Sequence, residues 1–215
     1  MELAFALLSI LGALLMGAVS PGPSFVTVAQ TSIARARRGG LAAALGMGVG
    51  GVIFAALALL GLQALLAQAA WLYLGLKLLG GAYLLYLAVR LWRSAAEPFA
   101  VPDTASADDA SALRGPFLLG LATQLSNPKT AVVYGSVFAA FLPPHLPAWV
   151  FAVLPLMIFA IEAGWYTAVA LTFSAEGPRA AYLRFKVLVD RAAGAVMGAL
   201  GVKLIVEVAR AVRTT

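Results

Sequence analysis

Residues 18–40 read AVSPGPSFVTVAQTSIARARRGG. Two prolines flank a glycine at residues 21–23, inside a long apolar segment, and three arginines follow near the end of the stretch. Proline lacks a backbone N–H and clashes with the carbonyl one turn earlier, so this motif predicts a break in a helix. If the helix lies in a bilayer, the carbonyls freed by the break need partners in protein or in a water-filled cavity.

The composition around this stretch indicates a membrane protein. Of the 215 residues, 62% are hydrophobic and 11% are charged, whereas soluble domains average about 45–50% and about 25%. The apolar segments have a helical period and are too long for the strands of a membrane barrel. We therefore expect an all-α polytopic membrane protein. Because no cysteine is present, thiolate catalysis and Cys-ligated metal centres are excluded.

Six transmembrane helices are predicted, in two groups of three. They cover about residues 3–34, 41–67, 71–93, 116–142, 148–173 and 190–212. Helices one and four are broken at proline, at residues 21–23 and at residues 127–128. Since each half has an odd number of spans, we expect two inverted three-helix repeats, residues 1–93 and 115–215, joined by a polar cytoplasmic linker at 94–114. Glu2 stands where a secretory signal peptide has basic residues, so the first helix should be retained.

The distribution of basic residues predicts the orientation. Ten Lys and Arg lie in the loops after spans one, three and five, whereas the opposite side holds only Arg210 and Arg213. The positive-inside rule then places these three loops in the cytoplasm and both termini outside. The same placement at helix ends accounts for the net charge of +6, so we expect no nucleic-acid partner.

The two helix breaks predict a substrate site. Transporters built from inverted repeats bind substrate near the midplane, between broken helices whose N-termini and free carbonyls face the ligand. The alternative for each break is a kink that only helps packing. The residues concerned are Ser20, Pro21, Gly22, Pro23 and Ser24 at the first break, and Asn127, Pro128 and Lys129 at the second.

Two charged residues deep in predicted spans are further candidates. Glu162 lies 14 residues from Ala148 and 11 from Phe173, so it reaches neither interface easily. An intramembrane carboxylate is by default a functional candidate; this one would bind a substrate ammonium or carry the coupling proton. Lys129 would bind a substrate carboxylate. The alternatives are a structural ion pair between the two, or a Lys129 amine that extends to the interface, as we expect for Lys77 and Lys203.

Nothing in the sequence favours an enzyme or a cofactor. There is no nucleophile elbow, Walker loop or paired-carboxylate motif, and the single histidine, His145, has no other metal-ligand type beside it. We therefore expect no catalytic residue, no cofactor and no metal site.

Several stretches, in order, carry a resemblance to a known family. They are SPGPSF, ARARRGGLAAALGMGVG, LGLKLLGGAYLLYLAVRLWRS, QLSNPKTAVVYGSVFAAFLP and DRAAGAVMGALGVKLIVE. Together they resemble the LysE/RhtB family of bacterial amino-acid exporters along nearly the whole chain. The resemblance implies an inner-membrane carrier that expels amino acids or close derivatives, driven by the proton-motive force, with both proline motifs in its site. Many members have an acidic residue where this chain has Gly51, which would leave Glu162 as the deep carboxylate.

These observations lead to one main hypothesis and two alternatives. The main hypothesis is that the protein is an efflux carrier in the bacterial inner membrane that works by alternating access. Its partners would be a small zwitterionic substrate, protons and the lipid bilayer. Asn127 and Lys129 would engage the substrate carboxylate, and Glu162 the ammonium or the proton. The alternatives are a metal-cation exporter and a non-transporting membrane scaffold. A homo-oligomer is left open.

Overall fold

The computed structural model describes residues 2–68, 70–96, 113–143 and 145–213. Eight α-helices make up most of these residues: α1 (Glu2–Val19), α2 (Pro23–Ala34), α3 (Ala36–Gln68), α4 (Ala70–Ser94), α5 (Arg114–Ser126), α6 (Pro128–Phe141), α7 (Val150–Phe173) and α8 (Glu176–Arg213). No strand occurs in these residues, in agreement with the expected all-α class. Residues 97–112 of the predicted linker lie outside the described residues.

Both proline motifs interrupt a helix, as predicted. Pro23 is the first residue of α2 and Pro128 the first residue of α6. Proline is well tolerated at this position because the first N–H groups of a helix have no intrahelical partner. The side chain of Asn127 caps α6 by accepting a hydrogen bond from the backbone N–H of Lys129 at 3.0 Å. The pairs α1/α2 and α5/α6 are thus helices divided in two.

Four helical segments among the described residues are long and apolar enough to cross a membrane: Glu2–Val19, Ala36–Gly61, Val150–Phe173 and Arg184–Val212. Helices α2, α5 and α6 have 12, 13 and 14 residues, whereas a crossing needs about 20. The six-span arrangement therefore requires α1/α2 and α5/α6 to act as two broken spans and α4 as a further one. It stays a prediction, as do the two repeats.

Helix pairs approach closely at glycines. Gly46 of α3 faces the backbone carbonyl of Phe117 in α5, and Gly120 of α5 faces that of Ala43 in α3. Gly81 of α4 and Gly201 of α8 are related in the same way, each facing the other's carbonyl. A side chain at these positions would collide with backbone. These small residues allow α3 to pack against α5 and α4 against α8, the role that such faces have in membrane helices.

Large apolar side chains cover much of the outer surface. Phe5, Leu57, Leu79, Leu156 and Leu188 are each more than 60% exposed. An exposed apolar surface of this extent fits contact with lipid rather than with water. Lys77 and Lys203 both contact Glu207, at 2.7 Å and 3.8 Å between nitrogen and oxygen. That they extend to the interface stays a prediction.

Two apolar clusters form the core, and a polar layer lies between them. Along α7, Ile158 belongs to the first cluster and Tyr166 to the second, with Glu162 between the two. Along α3, Met47 belongs to the second cluster and Ala55 to the first. Along α3 and α7, the polar layer is therefore flanked by hydrophobic packing at both ends, and the candidate site is found in this layer.

Candidate substrate site at the two helix breaks

The two breaks, far apart in sequence, meet in the structure. The Lys129 ammonium donates to the backbone oxygen of Ser20 at 2.8 Å and to its Oγ at 2.9 Å. Ser20 follows the last residue of α1, so its carbonyl is one of those freed by the first break. The Asn127 amide nitrogen donates to Ser24 Oγ at 2.9 Å. Each break thus supplies hydrogen-bond partners to the other, and together they form one site.

A chain of hydrogen bonds continues from the breaks to Glu162. Ser24 Oγ donates to Gln124 Oε1 at 2.7 Å, and Gln124 Nε2 donates to Glu162 Oε2 at 3.2 Å. The Tyr134 hydroxyl donates to the other carboxylate oxygen, Oε1, at 3.0 Å. Ser24, Gln124, Tyr134 and Glu162 are all buried. Buried polar groups need such partners, so helices α2, α5, α6 and α7 are held together by this network.

Glu162 and Lys129 do not form a structural ion pair, one of the alternatives that the sequence allows. Both residues are among those described, and the amine of Lys129 lies on Ser20 rather than on the carboxylate. Each oxygen of Glu162 instead accepts from a neutral donor, Tyr134 or Gln124. A carboxylate buried without a cation is costly in a membrane. The site therefore offers a place for a cationic group or a proton beside Glu162.

These side chains surround a small cavity, here called the inner pocket. Its volume is ≈ 20 Å³, room for about one water molecule. A larger ligand would require the surrounding helices to separate. Its lining includes Ser20, Gly22, Ser24, Phe25, Gln124, Asn127, Lys129, Thr130, Tyr134, Glu162 and Tyr166.

A much larger opening, here called the cleft, lies on the other side of Lys129. Its volume is ≈ 650 Å³, and residues of α2, α4, α6 and α8 line it. Gly22, Asn127 and Lys129 line both the cleft and the inner pocket. These three residues therefore separate the two cavities. The cleft wall also includes Pro21, Pro23, Tyr83, Tyr86, Arg90, Arg93, Pro128, Lys186 and Asp190.

The structure brings all nine sequence-predicted site residues to these two cavities. Six line the inner pocket, namely Ser20, Gly22, Ser24, Asn127, Lys129 and Glu162. The three prolines, Pro21, Pro23 and Pro128, line only the cleft. Their roles in binding remain predictions.

Sequence reasoning missed Gln124, Tyr134 and Tyr166. Gln124 could have been recognised from the sequence, because it is a polar amide inside a predicted span, one turn before the break at Pro128. The two tyrosines gave none, because aromatic residues are common in apolar helices. Gly51 proves to face the site directly: a Cβ there would lie 2.9 Å from the Tyr134 hydroxyl and 3.0 Å from Glu162 Cγ.

The fold and the site together define a multi-pass helical membrane protein with a buried polar pocket where two broken helices meet. A profile of the LysE type translocator family matches residues 15–208, so the chain belongs to that family and the resemblance seen in the sequence is confirmed.

Several relatives cover most of the chain. It is 32% identical over 189 residues to the threonine efflux protein of Escherichia coli K12, an alignment covering 88% of this chain and 92% of that one. The threonine efflux protein of Salmonella typhi is 33% identical over 193 residues, with the same coverage of 88% and 92%. The uncharacterized membrane protein YahN of Escherichia coli K12 is 31% identical over 196 residues, covering 87% and 83%. No solved structure matches.

Proposed function

We propose that this protein exports amino acids, or close derivatives, from the bacterial cytoplasm across the inner membrane, and that the proton-motive force drives this export. Membership of the LysE type translocator family supports a transporter rather than an enzyme. The similarity to threonine efflux proteins over 88% of the chain supports an amino acid as cargo, with threonine as the first substrate to test.

The observation that carries this proposal is that the inner pocket is lined by a basic and an acidic side chain that do not pair with each other. Lys129 and Asn127 lie at the second helix break, and the Glu162 carboxylate lines the same pocket from α7. An amino acid is a zwitterion, so its carboxylate would meet Lys129 and Asn127 while its ammonium met Glu162. The N-terminus of α6 begins at the same place, and its dipole favours a negatively charged group.

The two breaks suit alternating access. The inner pocket is too small for an amino acid as it stands, so transport requires α2 and α6 to move relative to α7. We propose that the broken spans α1/α2 and α5/α6 allow this motion within the predicted frame of six spans, two inverted repeats and both termini outside. Glu162 would alternate between substrate ammonium and proton, which couples export to the proton gradient.

Everted membrane vesicles test the proposal, because their cytoplasmic face is turned outward and export appears as uptake. Vesicles from cells that lack their own threonine exporters would be energised by respiration and given labelled L-threonine. We expect saturable uptake that a protonophore abolishes, and a large loss with K129M but not with K203M, a lysine outside both cavities.

The same vesicles separate the alternatives. Accumulation of labelled cadmium, with no uptake from a panel of amino acids, would overturn the proposal in favour of a metal-cation exporter. If the vesicles accumulate neither amino acids nor cadmium, the proposal is overturned in favour of a non-transporting membrane scaffold.

A further inference from the structure

Asp190 is a buried carboxylate that the proposed transport site does not use. It lies on α8, is 1% exposed and forms part of the cleft wall. Its Oδ2 accepts from the ammonium of Lys186 at 2.8 Å. Its other oxygen, Oδ1, has no hydrogen-bond partner among the described residues. Oδ1 is also closed off from the cleft in this structure. Because a buried acceptor without a donor is costly, a donor from the cleft would complete this site once the Asp190 side chain turns toward it.

The surroundings of Asp190 favour a ligand that carries both charges. Lys129 and Arg90 lie on the same cleft wall and would attract a carboxylate. Lys129 lines the cleft together with Asp190 and lines the inner pocket together with Glu162. It is therefore shared by two cavities, each of which has an acidic side chain in its wall. The cleft, at ≈ 650 Å³, has the room for an amino acid that the inner pocket lacks.

We propose that Asp190 and Lys129 form an entrance site in the cleft for the zwitterionic substrate, an inference that rests on the proposed function. The Asp190 side chain turns so that Oδ1 faces the cleft and binds the substrate ammonium, while the substrate carboxylate binds Lys129. When the helices separate, the carboxylate stays near Lys129 and the ammonium moves from Asp190 to Glu162. The ligand class is an α-amino acid with a free ammonium group. The bond from Lys186 shows that this carboxylate already accepts a primary ammonium.

A purely structural role for Asp190 is the competing explanation. Lys186 and Asp190 are one turn apart on α8, and Lys186 also donates to the backbone oxygen of Ala95 at 3.3 Å. This pair accounts for Oδ2 and could tie α8 to the end of α4. It does not account for the unpartnered Oδ1, nor for the position of the carboxylate on the cleft wall.

The test compares uptake kinetics of L-threonine in everted vesicles. D190N is expected to raise KM by about tenfold with little change in kcat, since an entrance site contributes to initial binding. E207Q is the matched control: it removes another α8 carboxylate from an ion pair, outside the cleft, and should leave KM unchanged. D190E keeps the charge and should raise KM less than D190N does.

Two further measurements distinguish binding from structure. The charge swap K186D/D190K restores an ion pair but not an ammonium site, so KM should stay raised. The competitor 2,3-dihydroxybutyrate has a hydroxyl in place of the threonine ammonium. In the wild type its inhibition constant should exceed the KM for threonine, and the ratio of the two should fall by about tenfold in D190N.

The outcomes separate the two proposals. A wild-type KM for D190N, or recovery of KM by the swap, would overturn the entrance site while threonine export stands. If wild-type vesicles accumulate no amino acid, the proposed function is wrong. The entrance site, which rests on it, is then wrong as well.

Discussion

Hydroxyl and amide groups, rather than a cation, hold the Glu162 carboxylate. Tyr134 and Gln124 each donate one hydrogen bond, and the nearby lysine bonds to Ser20 instead. Neutral donors can support the carboxylate when it is charged, yet they leave it free to bind a proton or an ammonium. A permanent ion pair with Lys129 would have removed that freedom. This arrangement supports the proposed role of Glu162 in binding the substrate ammonium and the proton in turn.

Replacing Glu162 by glutamine tests this arrangement. Glutamine has nearly the same shape but cannot bind and release a proton at this position. We expect E162Q to lose uptake of L-threonine in everted vesicles by about tenfold or more, and to lose its response to the pH gradient. E207Q makes the same change at an ion-paired carboxylate on α8, and it should keep both the uptake of L-threonine and the response to the pH gradient. Transport by E162Q at the wild-type rate with unchanged pH dependence would show that the assigned role is wrong.

Gln124 is the residue that links the first helix break to Glu162. Its amide accepts from Ser24 and donates to Glu162, and the side chain is 1% exposed. In Q124L both partners lose a hydrogen bond in a buried place, which costs about 1–3 kcal/mol for each unsatisfied group. We expect a lower melting temperature in detergent, measured by loss of the monodisperse peak on heating, together with weaker transport.

The control for Q124L lies on the same helix. Ser126 is exposed and its hydroxyl bonds only to the backbone oxygen of Thr123. S126A should therefore keep both thermal stability and uptake. A Q124L protein as stable and as active as S126A would mean that the hydrogen-bond chain is dispensable.

At the scale of helices, each proline motif does two things. It ends one helix, which frees carbonyls such as that of Ser20, and it begins another, which brings unpaired N–H groups to the same place. The two breaks lie close together: a Cβ at Gly22 would be in contact with the Lys129 side chain, at 3.4 Å. The breaks therefore create the polar groups of the site and let them meet.

The packing of α3 on α5 depends on Gly46. A methyl group there would collide with the backbone oxygen of Phe117, and backbone cannot move aside as a flexible side chain can. We expect G46A to lower the yield of folded protein and its melting temperature, both measured by gel filtration in detergent. The matched control is G61A on the same helix, where a Cβ meets nothing within 4 Å.

In G61A the change to alanine should be neutral or slightly stabilising, because alanine favours a helix over glycine by about 1 kcal/mol. Equal stability of G46A and G61A would contradict the close approach of α3 and α5.

The sequence predicted the helical class, the two breaks and the charged residues of the site because each depends on residue types that are rare in apolar helices. Proline inside a span and a carboxylate far from any interface are visible without knowing the packing. Tyr134 and Asp190 were missed for the opposite reason. Their roles arise only when α6 meets α7 and when α8 lines the cleft, and the spacing of apolar residues does not specify which helices become neighbours.

At the scale of the whole molecule, the two sides of the inner pocket differ. On one side the cleft opens, and its wall includes Arg90, Arg93 and Lys186. On the other, Leu14, Val133 and Phe138 belong to a continuous apolar cluster. By the positive-inside rule, we predict that the basic side is the cytoplasmic one. This arrangement is typical of a carrier in an inward-open state, with the cleft open to the cytoplasm and the outer side closed.

Thiol labelling tests which way the cleft faces, and the chain is a ready background because it has no cysteine. Tyr86 lines the cleft and is 56% exposed, whereas Leu156 is 66% exposed on the apolar surface of α7. We expect Y86C to react with a membrane-impermeant thiol reagent in everted vesicles and not in right-side-out vesicles. L156C should react in neither, because lipid rather than water would cover it. Reaction of Y86C only in right-side-out vesicles would reverse the predicted orientation, and with it the direction from which substrate reaches Lys129.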